Sequence, residues 1–155
     1  MFICHFTERP YQDPESGYFG ATGLPIRDLE VSNEIYDAKL GASLYNRYID
    51  ERIYAEEMGF DYFWSVEHHF LSGFSHCSAP EVLYGAISQR TKRIRIGHAV
   101  ALLPGQYNHP VRVAERAAVL DIVSNGRMDL GTGRSTTLIE MDGFEVDPEQ
   151  TKAQW

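Results

Sequence analysis

Apolar and β-branched residues cluster in four short runs along the chain, each bounded by polar or turn-forming residues. Runs of this kind predict β-strands. The predicted strands cover residues 2–6, 62–66, 94–103 and 128–131. The third run is apolar almost throughout, which is typical of a strand that is covered on both faces of its sheet.

Between the strands, apolar residues recur at helical spacing. Three helices are predicted, over residues 43–58, over residues 78–90, and from residue 109 to a stop at 125–126. Ser78 and Glu81 have the spacing of a capping box, in which the two side chains bond backbone N–H groups of the first turn. Gly126 can end the third helix because glycine adopts the left-handed conformation at little cost.

Strands and helices alternate, which favours a parallel sheet with right-handed crossovers. Strands that begin near residues 62, 94 and 128 repeat about every 33 residues, the size of one βαβ step. The connection over residues 7–42 is too long for a simple link and contains several prolines and glycines, so it is predicted to be a functional loop or lid.

The length of the chain limits the architectures that it can form. The 155 residues correspond to a single domain over 1–155. Both an open doubly wound sheet and a (β/α)8 barrel fit the alternation, but a complete barrel needs about 250 residues. The chain would therefore hold only about half of a barrel.

Composition excludes several classes of protein. Lys plus Arg number 14 and Asp plus Glu 22, a net charge of −8, the opposite of the basic surface that nucleic acid binding requires. The chain contains no apolar run that approaches the ~20 residues of a membrane span, so no membrane partner is expected. Cys4 and Cys77 are too few for a disulfide framework and predict reduced thiols in a cytoplasmic protein.

Glu67, His68 and His69 directly follow the second predicted strand. Ligands of parallel α/β folds bind beyond the carboxyl ends of strands, and a histidine there can transfer protons near neutral pH. In the alternative, both histidines pack or cap the next loop. His76 and Cys77 could extend the set to a zinc site, but the spacing matches no recognised ligand pattern, and no metal is predicted.

Gly131, Gly133 and Arg134 lie at the end of the fourth predicted strand. Glycines allow a planar ligand to approach the backbone, and an arginine there can pair with a phosphate. In the alternative, this segment is a tight turn with an exposed arginine. The sequence contains neither the three-glycine dinucleotide fingerprint nor a Walker motif.

His98, inside the third strand, is expected to be a core histidine.

Three stretches of the chain resemble the bacterial luciferase-like, flavin-dependent monooxygenase family. They are GFDYFWSVEHHF (residues 59–70), APEVL (79–83) and IRIGHAVALLPGQYNHPVRVAERAAVLDIVSNGRMDLGTGRS (94–135). The last is the specific one, with its succession of LLP, HPVRVAE, LD, SNGR and GTGR. The resemblance implies a (β/α)8 TIM barrel, present here as its amino-terminal half of about four parallel strands with helices.

The resemblance also implies a cofactor and site residues. The family binds reduced FMN, or in some branches the deazaflavin F420, at the mouth of the barrel. His68 matches the histidine that assists proton transfer or orients the flavin–oxygen adduct. Ala99 and Val100 match the strand end that lies against the isoalloxazine ring, and Arg134 matches a basic residue near the flavin phosphate and ring edge. The implied reaction oxidises a small organic substrate with O2 through a C4a-peroxyflavin, with FMN reduced by a separate flavin reductase.

Members of the family are substantially longer than this chain. A half barrel leaves two unpaired strand edges and an open inner face, so a homo-oligomer, or association with the remainder of the barrel, is expected. Three alternatives stay open at this point: a non-catalytic half-barrel subunit that acts through dimerisation, an F420-dependent oxidoreductase, and a metal-dependent hydrolase built on the histidine cluster.

Overall fold

A computed structural model describes residues 1–11, 36–71 and 75–155. Four parallel strands form one sheet in the order β1-β2-β3-β4. The strands are β1 (Cys4–Thr7), β2 (Tyr62–Ser65), β3 (Arg95–Leu102) and β4 (Met128–Gly133). The helices are α1 (Ala38–Glu57), α2 (Pro80–Arg90), α3 (Pro110–Val123), α4 (Leu138–Gly143) and α5 (Thr151–Gln154).

The strand order distinguishes the two predicted architectures. In a doubly wound sheet the strand order reverses at a switch point. In a barrel, each new strand is placed beside the preceding one, always on the same side. Here every strand pairs with the one that precedes it in the chain. The predicted parallel α/β arrangement is confirmed, and the order is that of a partial barrel.

Helix α1 begins five residues before its predicted start at residue 43. Asp37 is the N-cap residue, and its side chain accepts a 2.7 Å hydrogen bond from the backbone N–H of Leu40. The first turn of α1 was not predicted from the sequence because it contains Gly41, and glycine disfavours helix interiors. In the structure a Cβ at Gly41 would collide with the ring of Tyr36, so the glycine permits that contact. Residues 12–35, most of the loop predicted over 7–42, lie outside the described residues.

The capping box predicted for α2 is wrong. The N-cap residue is Ala79, which makes no side-chain capping bond. Pro80 occupies the first turn, where its missing N–H costs nothing, and Glu81 pairs with Arg116 of α3 instead. The Glu81 carboxylate therefore forms a tertiary ion pair instead of the N-terminal capping bond that the sequence pattern predicted. Helix α3 follows its prediction, since His109 caps its start and Asn125 and Gly126 have positive φ at its end.

The core lies between the sheet and the helices. Its fully buried members come from α1, α2 and the helix-facing side of β2 and β3, and include Leu44, Tyr48, Phe63, Tyr84, Ile87 and Ile96. This layer fixes the strands, so the segments beyond their carboxyl ends are held at one edge of the sheet. Within the described residues, no helix is long and apolar enough to cross a membrane.

Candidate functional site

The carboxyl ends of β2, β3 and β4 border a single cleft of about 250 Å³. All four site residues that the family resemblance implies line it: His68 after β2, Ala99 and Val100 in β3, and Arg134 directly after β4. The sheet brings these residues together because its strands are parallel and adjacent, although 66 positions separate His68 from Arg134 in the numbering. Their functional roles stay predictions.

His68 is held between two carboxylates. Its Nδ1 lies 2.8 Å from Oε1 of Glu140, and its Nε2 lies 3.4 Å from Oε2 of Glu8. Burial by itself would lower the pKa of His68, but the hydrogen bond to Glu140 and the ion pair with Glu8 outweigh burial and raise the pKa to about 9. Both carboxylates therefore favour the protonated, cationic form of the ring.

Glu140, like Glu8, is a partner of His68 that the sequence did not indicate. It lies on the short helix α4, is 1% exposed, and also accepts hydrogen bonds from the backbone N–H of His69 (2.9 Å) and the hydroxyl of Ser135 (2.7 Å). Burial would raise the pKa of Glu140, and these hydrogen bonds more than compensate, so the pKa is lowered. The contact spans 72 residues of chain, and no local pattern could have indicated it.

Glu67 organises the polar network beneath the cleft. Its carboxylate is buried and accepts hydrogen bonds from Asn108 Nδ2 (2.8 Å) and the backbone N–H of Leu102 (3.2 Å). The Nε2 atom of His69 lies 3.1 Å from the same carboxylate. Burial would raise the pKa of Glu67, but its hydrogen bonds and nearby His98 keep the pKa below its usual value. Glu67 thus ties the end of β2 to the end of β3.

Ala99, Val100 and Leu102 of β3 form the part of the cleft lining that we call its floor. The Ala99–Val100 peptide bond is cis, and the pairing of β3 with β4 is irregular between His98 and Ala101. Val100 packs against Gly133 of β4, where a Cβ would collide with the valine side chain. Gly133 therefore permits the close approach of these two strand ends.

Arg134 stands at the rim and is exposed. One of its guanidinium nitrogens donates a 2.9 Å hydrogen bond to the hydroxyl of Thr151, at the start of α5. A guanidinium has five N–H donors, so this single bond orients Arg134 and leaves donors for an anionic or carbonyl ligand.

The other candidate ligands lie away from the cleft. His98 is buried, as predicted, and burial lowers its pKa. His76 packs against the rings of Tyr11, Tyr36 and Tyr45. Cys77 is a buried free thiol that accepts a hydrogen bond from Arg9. Across residues 1–11, 36–71 and 75–155, no group of three or more His, Cys, Asp or Glu side chains is arranged to hold a metal ion.

A family model and curated proteins match this chain. Residues 38–154 match the model described as luciferase-like monooxygenase. The chain is 36% identical over 112 residues to 4-hydroxyprotoasukamycin monooxygenase of Streptomyces nodosus subsp. asukaensis, a match that covers 72% of the chain and 29% of that protein. It is 30% identical over 108 residues to the oxygenase component of flavin-dependent trigonelline monooxygenase of Acinetobacter baylyi, over 70% of the chain and 29% of that protein. The chain thus spans about a third of the length of these relatives.

Solved structures share the fold. A monooxygenase of Streptomyces bottropensis superimposes with a TM-score of 0.75 at 24% identity, over 99% of this chain and 39% of the other. The oxygenating constituent of 3,6-diketocamphane monooxygenase of Pseudomonas putida, in complex with FMN, gives 0.71 at 20% identity, over 96% and 33%. The coenzyme F420-dependent tetrahydromethanopterin reductase of Methanopyrus kandleri gives 0.55 at 22% identity, over 67% and 27%.

Proposed function

The chain belongs to the luciferase-like monooxygenase family, and from this premise we propose that it provides the oxygenating site of a flavin-dependent monooxygenase. The observation that supports the proposal is the convergence of His68, Ala99, Val100 and Arg134 on one cleft at the carboxyl edge of the sheet. The substrate proposed is a small organic molecule, oxidised with O2.

The residues of the cleft fit reduced FMN as the cofactor. The small apolar side chains of Ala99 and Val100 line the cleft and suit a planar ring, and Gly133 opposite Val100 adds no side chain to obstruct it. Arg134 is exposed and, within the described part of the chain, makes one hydrogen bond, so it suits the phosphate or a ring carbonyl. Reduced FMN would supply the activation of O2, through the C4a-peroxide that the sequence resemblance implies.

The chain's own residues would bind, orient and transfer protons. Ala99 and Val100 would support one face of the ring, and Arg134 would anchor its charged end. His68 is positioned for proton transfer, since its ring lies in the cleft and its orientation is fixed from two sides. Glu67 would contribute indirectly, because it holds the ends of β2 and β3 in register.

The proposal includes partners. A relative is named the oxygenase component of a flavin-dependent monooxygenase, which supports a separate reductase as the source of reduced FMN here. Homo-oligomerisation, or association with the remainder of a barrel, is supported by exposed apolar side chains on two surfaces. One surface carries Phe2, just before β1, and Phe6 within it, and the other carries Val82, Val119 and Ile122 on α2 and α3. The cytoplasmic location expected from the sequence belongs to the same proposal.

A second cofactor, F420, is retained because an F420-dependent reductase shares the fold. An F420-dependent oxidoreductase would use the same cleft for a deazaflavin ring. Parallel titrations of the chain with FMN and F420, followed by fluorescence, separate the two, and tighter binding of F420 would favour this alternative.

The experiment that tests the flavin site compares FMN with riboflavin, which lacks the phosphate. If Arg134 pairs with the phosphate, Arg134→Ala weakens FMN binding severalfold and leaves riboflavin binding unchanged. Arg112→Ala, at an exposed position on α3, is the matched control and should alter neither affinity. Absence of saturable flavin binding by the wild-type chain would contradict the proposal.

A further inference from the structure

We propose that Glu140 is a positioning residue for His68: together with Glu8 it holds the ring between two carboxylates, so that His68 enters the reaction as an imidazolium that donates a proton from Nε2. This inference deepens the proposed function and rests on it for the direction of proton transfer. The protonation state of the ring is a property of the chain alone and can be measured without flavin.

The surroundings of Glu140 indicate a carboxylate that stays ionised. It is 1% exposed, and three donors from three different residues converge on it, the Nδ1 of His68, the backbone N–H of His69 and the hydroxyl of Ser135. Hydrogen bonds to the charged form stabilise that form even where burial disfavours it. They also fix the plane of the carboxylate, and with it the orientation of the imidazole.

The two ring nitrogens are held unequally. The Nδ1 contact to Glu140, at 2.8 Å, has the length of a charge-assisted hydrogen bond. The Nε2 contact to Glu8, at 3.4 Å, is longer than an ordinary N–H···O bond, and the Glu8 side chain is 34% exposed. Because Nδ1 is bonded to the buried carboxylate of Glu140, its proton is the anchored one, and the Nε2 proton is the one that transfers.

Among the residues that the structure describes, the charged groups near His68 divide into two sets. Glu140 in α4 and Glu8 after β1 act on His68 itself, and both favour its protonated form. Glu67, adjacent in sequence, instead serves His69, Asn108 and Leu102. Arg134, across the cleft, is engaged with Thr151. The two carboxylates explain why the ring is protonated at neutral pH although it is largely buried.

The proposed step conserves protons and electrons. The Nε2–H bond of the imidazolium breaks, and its electron pair stays on the ring nitrogen. The proton passes to an oxygen atom of the reactant bound in the cleft, whose lone pair forms the new O–H bond. Neutral imidazole remains, with its Nδ1–H still bonded to Glu140. Uptake of a proton from water restores the cation. A histidine that acts as a base would instead have to be neutral before the reaction.

The test is the titration of the His68 ring in the 155-residue chain labelled with ¹⁵N-histidine, followed by NMR. In the wild type we expect the ring to titrate near pH 9 with Nδ1 protonated throughout. Glu140→Gln keeps the size of the side chain and removes its charge, and should weaken proton binding by His68 at least tenfold. Glu8→Gln should have a smaller effect. Glu57→Gln, at an exposed position on α1, removes the same charge and should have no effect.

Two results would overturn the inference. One is a His68 titration in Glu140→Gln that equals the wild type, and the other is a wild-type ring that titrates at or below the ordinary histidine value of 6.5. If Glu140→Gln does not fold, the wild-type titration together with Glu140→Asp, which keeps the charge and should keep the raised proton affinity, decides the question. Failure of flavin binding with an intact ring titration would overturn the proposed function and leave the role of Glu140 standing.

Discussion

Asn108 donates a 2.8 Å hydrogen bond to Glu67 across 41 residues of chain. The same amide nitrogen also donates to the carbonyl oxygen of Leu102, 3.1 Å away. Since Leu102 returns a hydrogen bond from its N–H to Glu67, the three residues close a network between the ends of β2 and β3. The floor of the cleft is thus held by side chains as well as by the backbone pairing of the sheet.

Glu67→Ala tests this network. It removes one of the two acceptors of the Asn108 amide and the acceptor of the buried Leu102 N–H, which should lower the free energy of unfolding by about 2–4 kcal/mol. Urea denaturation followed by circular dichroism measures the change. The exposed Glu57→Ala is the control, with an effect within about 0.5 kcal/mol. A Glu67→Ala effect as small as the control's would show that the network contributes little.

Gly133→Ala tests the packing of the cleft floor. The new methyl group would collide with Val100 and displace the valine toward the cleft, so we expect weaker flavin binding and a loss of stability of about 1–3 kcal/mol. Gly105→Ala is the matched control because a Cβ there meets no atom within 4 Å. Equal flavin affinities for the two variants, measured by fluorescence quenching, would contradict the placement of the ring against Val100.

His68→Ala separates proton transfer from cofactor binding. Since His68 is placed for proton transfer and Arg134 for the charged end of the flavin, the exchange should lower oxygenation far more than it lowers flavin affinity. Product formation with chemically reduced FMN gives the first quantity and a flavin titration the second. Losses of equal size in both would assign His68 to binding instead.

The raised pKa of His68 predicts how stability depends on pH. The pKa is about 9 in the folded chain and near 6.5 in the unfolded chain. Folding therefore gains from the imidazolium in full below about pH 6.5, and the gain is lost as the pH rises through 9. Comparison of the wild type with His68→Gln by urea denaturation at several pH values isolates this contribution. Their difference in unfolding free energy should shrink with rising pH, and a difference that grows would be inconsistent with a cationic His68.

The sequence predicted the sheet because the information for it is local. Runs of β-branched and aromatic residues indicated all four strands, and the spacing of strand starts indicated parallel crossovers. The family resemblance then identified His68 and Arg134, which the structure places on one cleft. Local signals sufficed wherever a residue's environment depends mainly on its own element.

Glu8 and Glu140 could not be predicted in this way. Each reaches His68 only because the ends of β1, β2 and β4 meet at the same edge of the sheet, and the chain between them carries no sign of that meeting. The capping prediction for α2 failed for a related reason. Glu81 has the correct spacing for a cap, but Arg116, 35 residues away, is the stronger partner.

The most direct test of the flavin site is an NMR titration of the ¹⁵N-labelled chain with FMN, which detects even weak binding residue by residue. We expect saturable shifts of the backbone amides at His68, Ala99, Val100 and Arg134, with those of α1 unchanged. Saturable shifts confined to another surface, or no shifts up to the solubility of FMN, would contradict it.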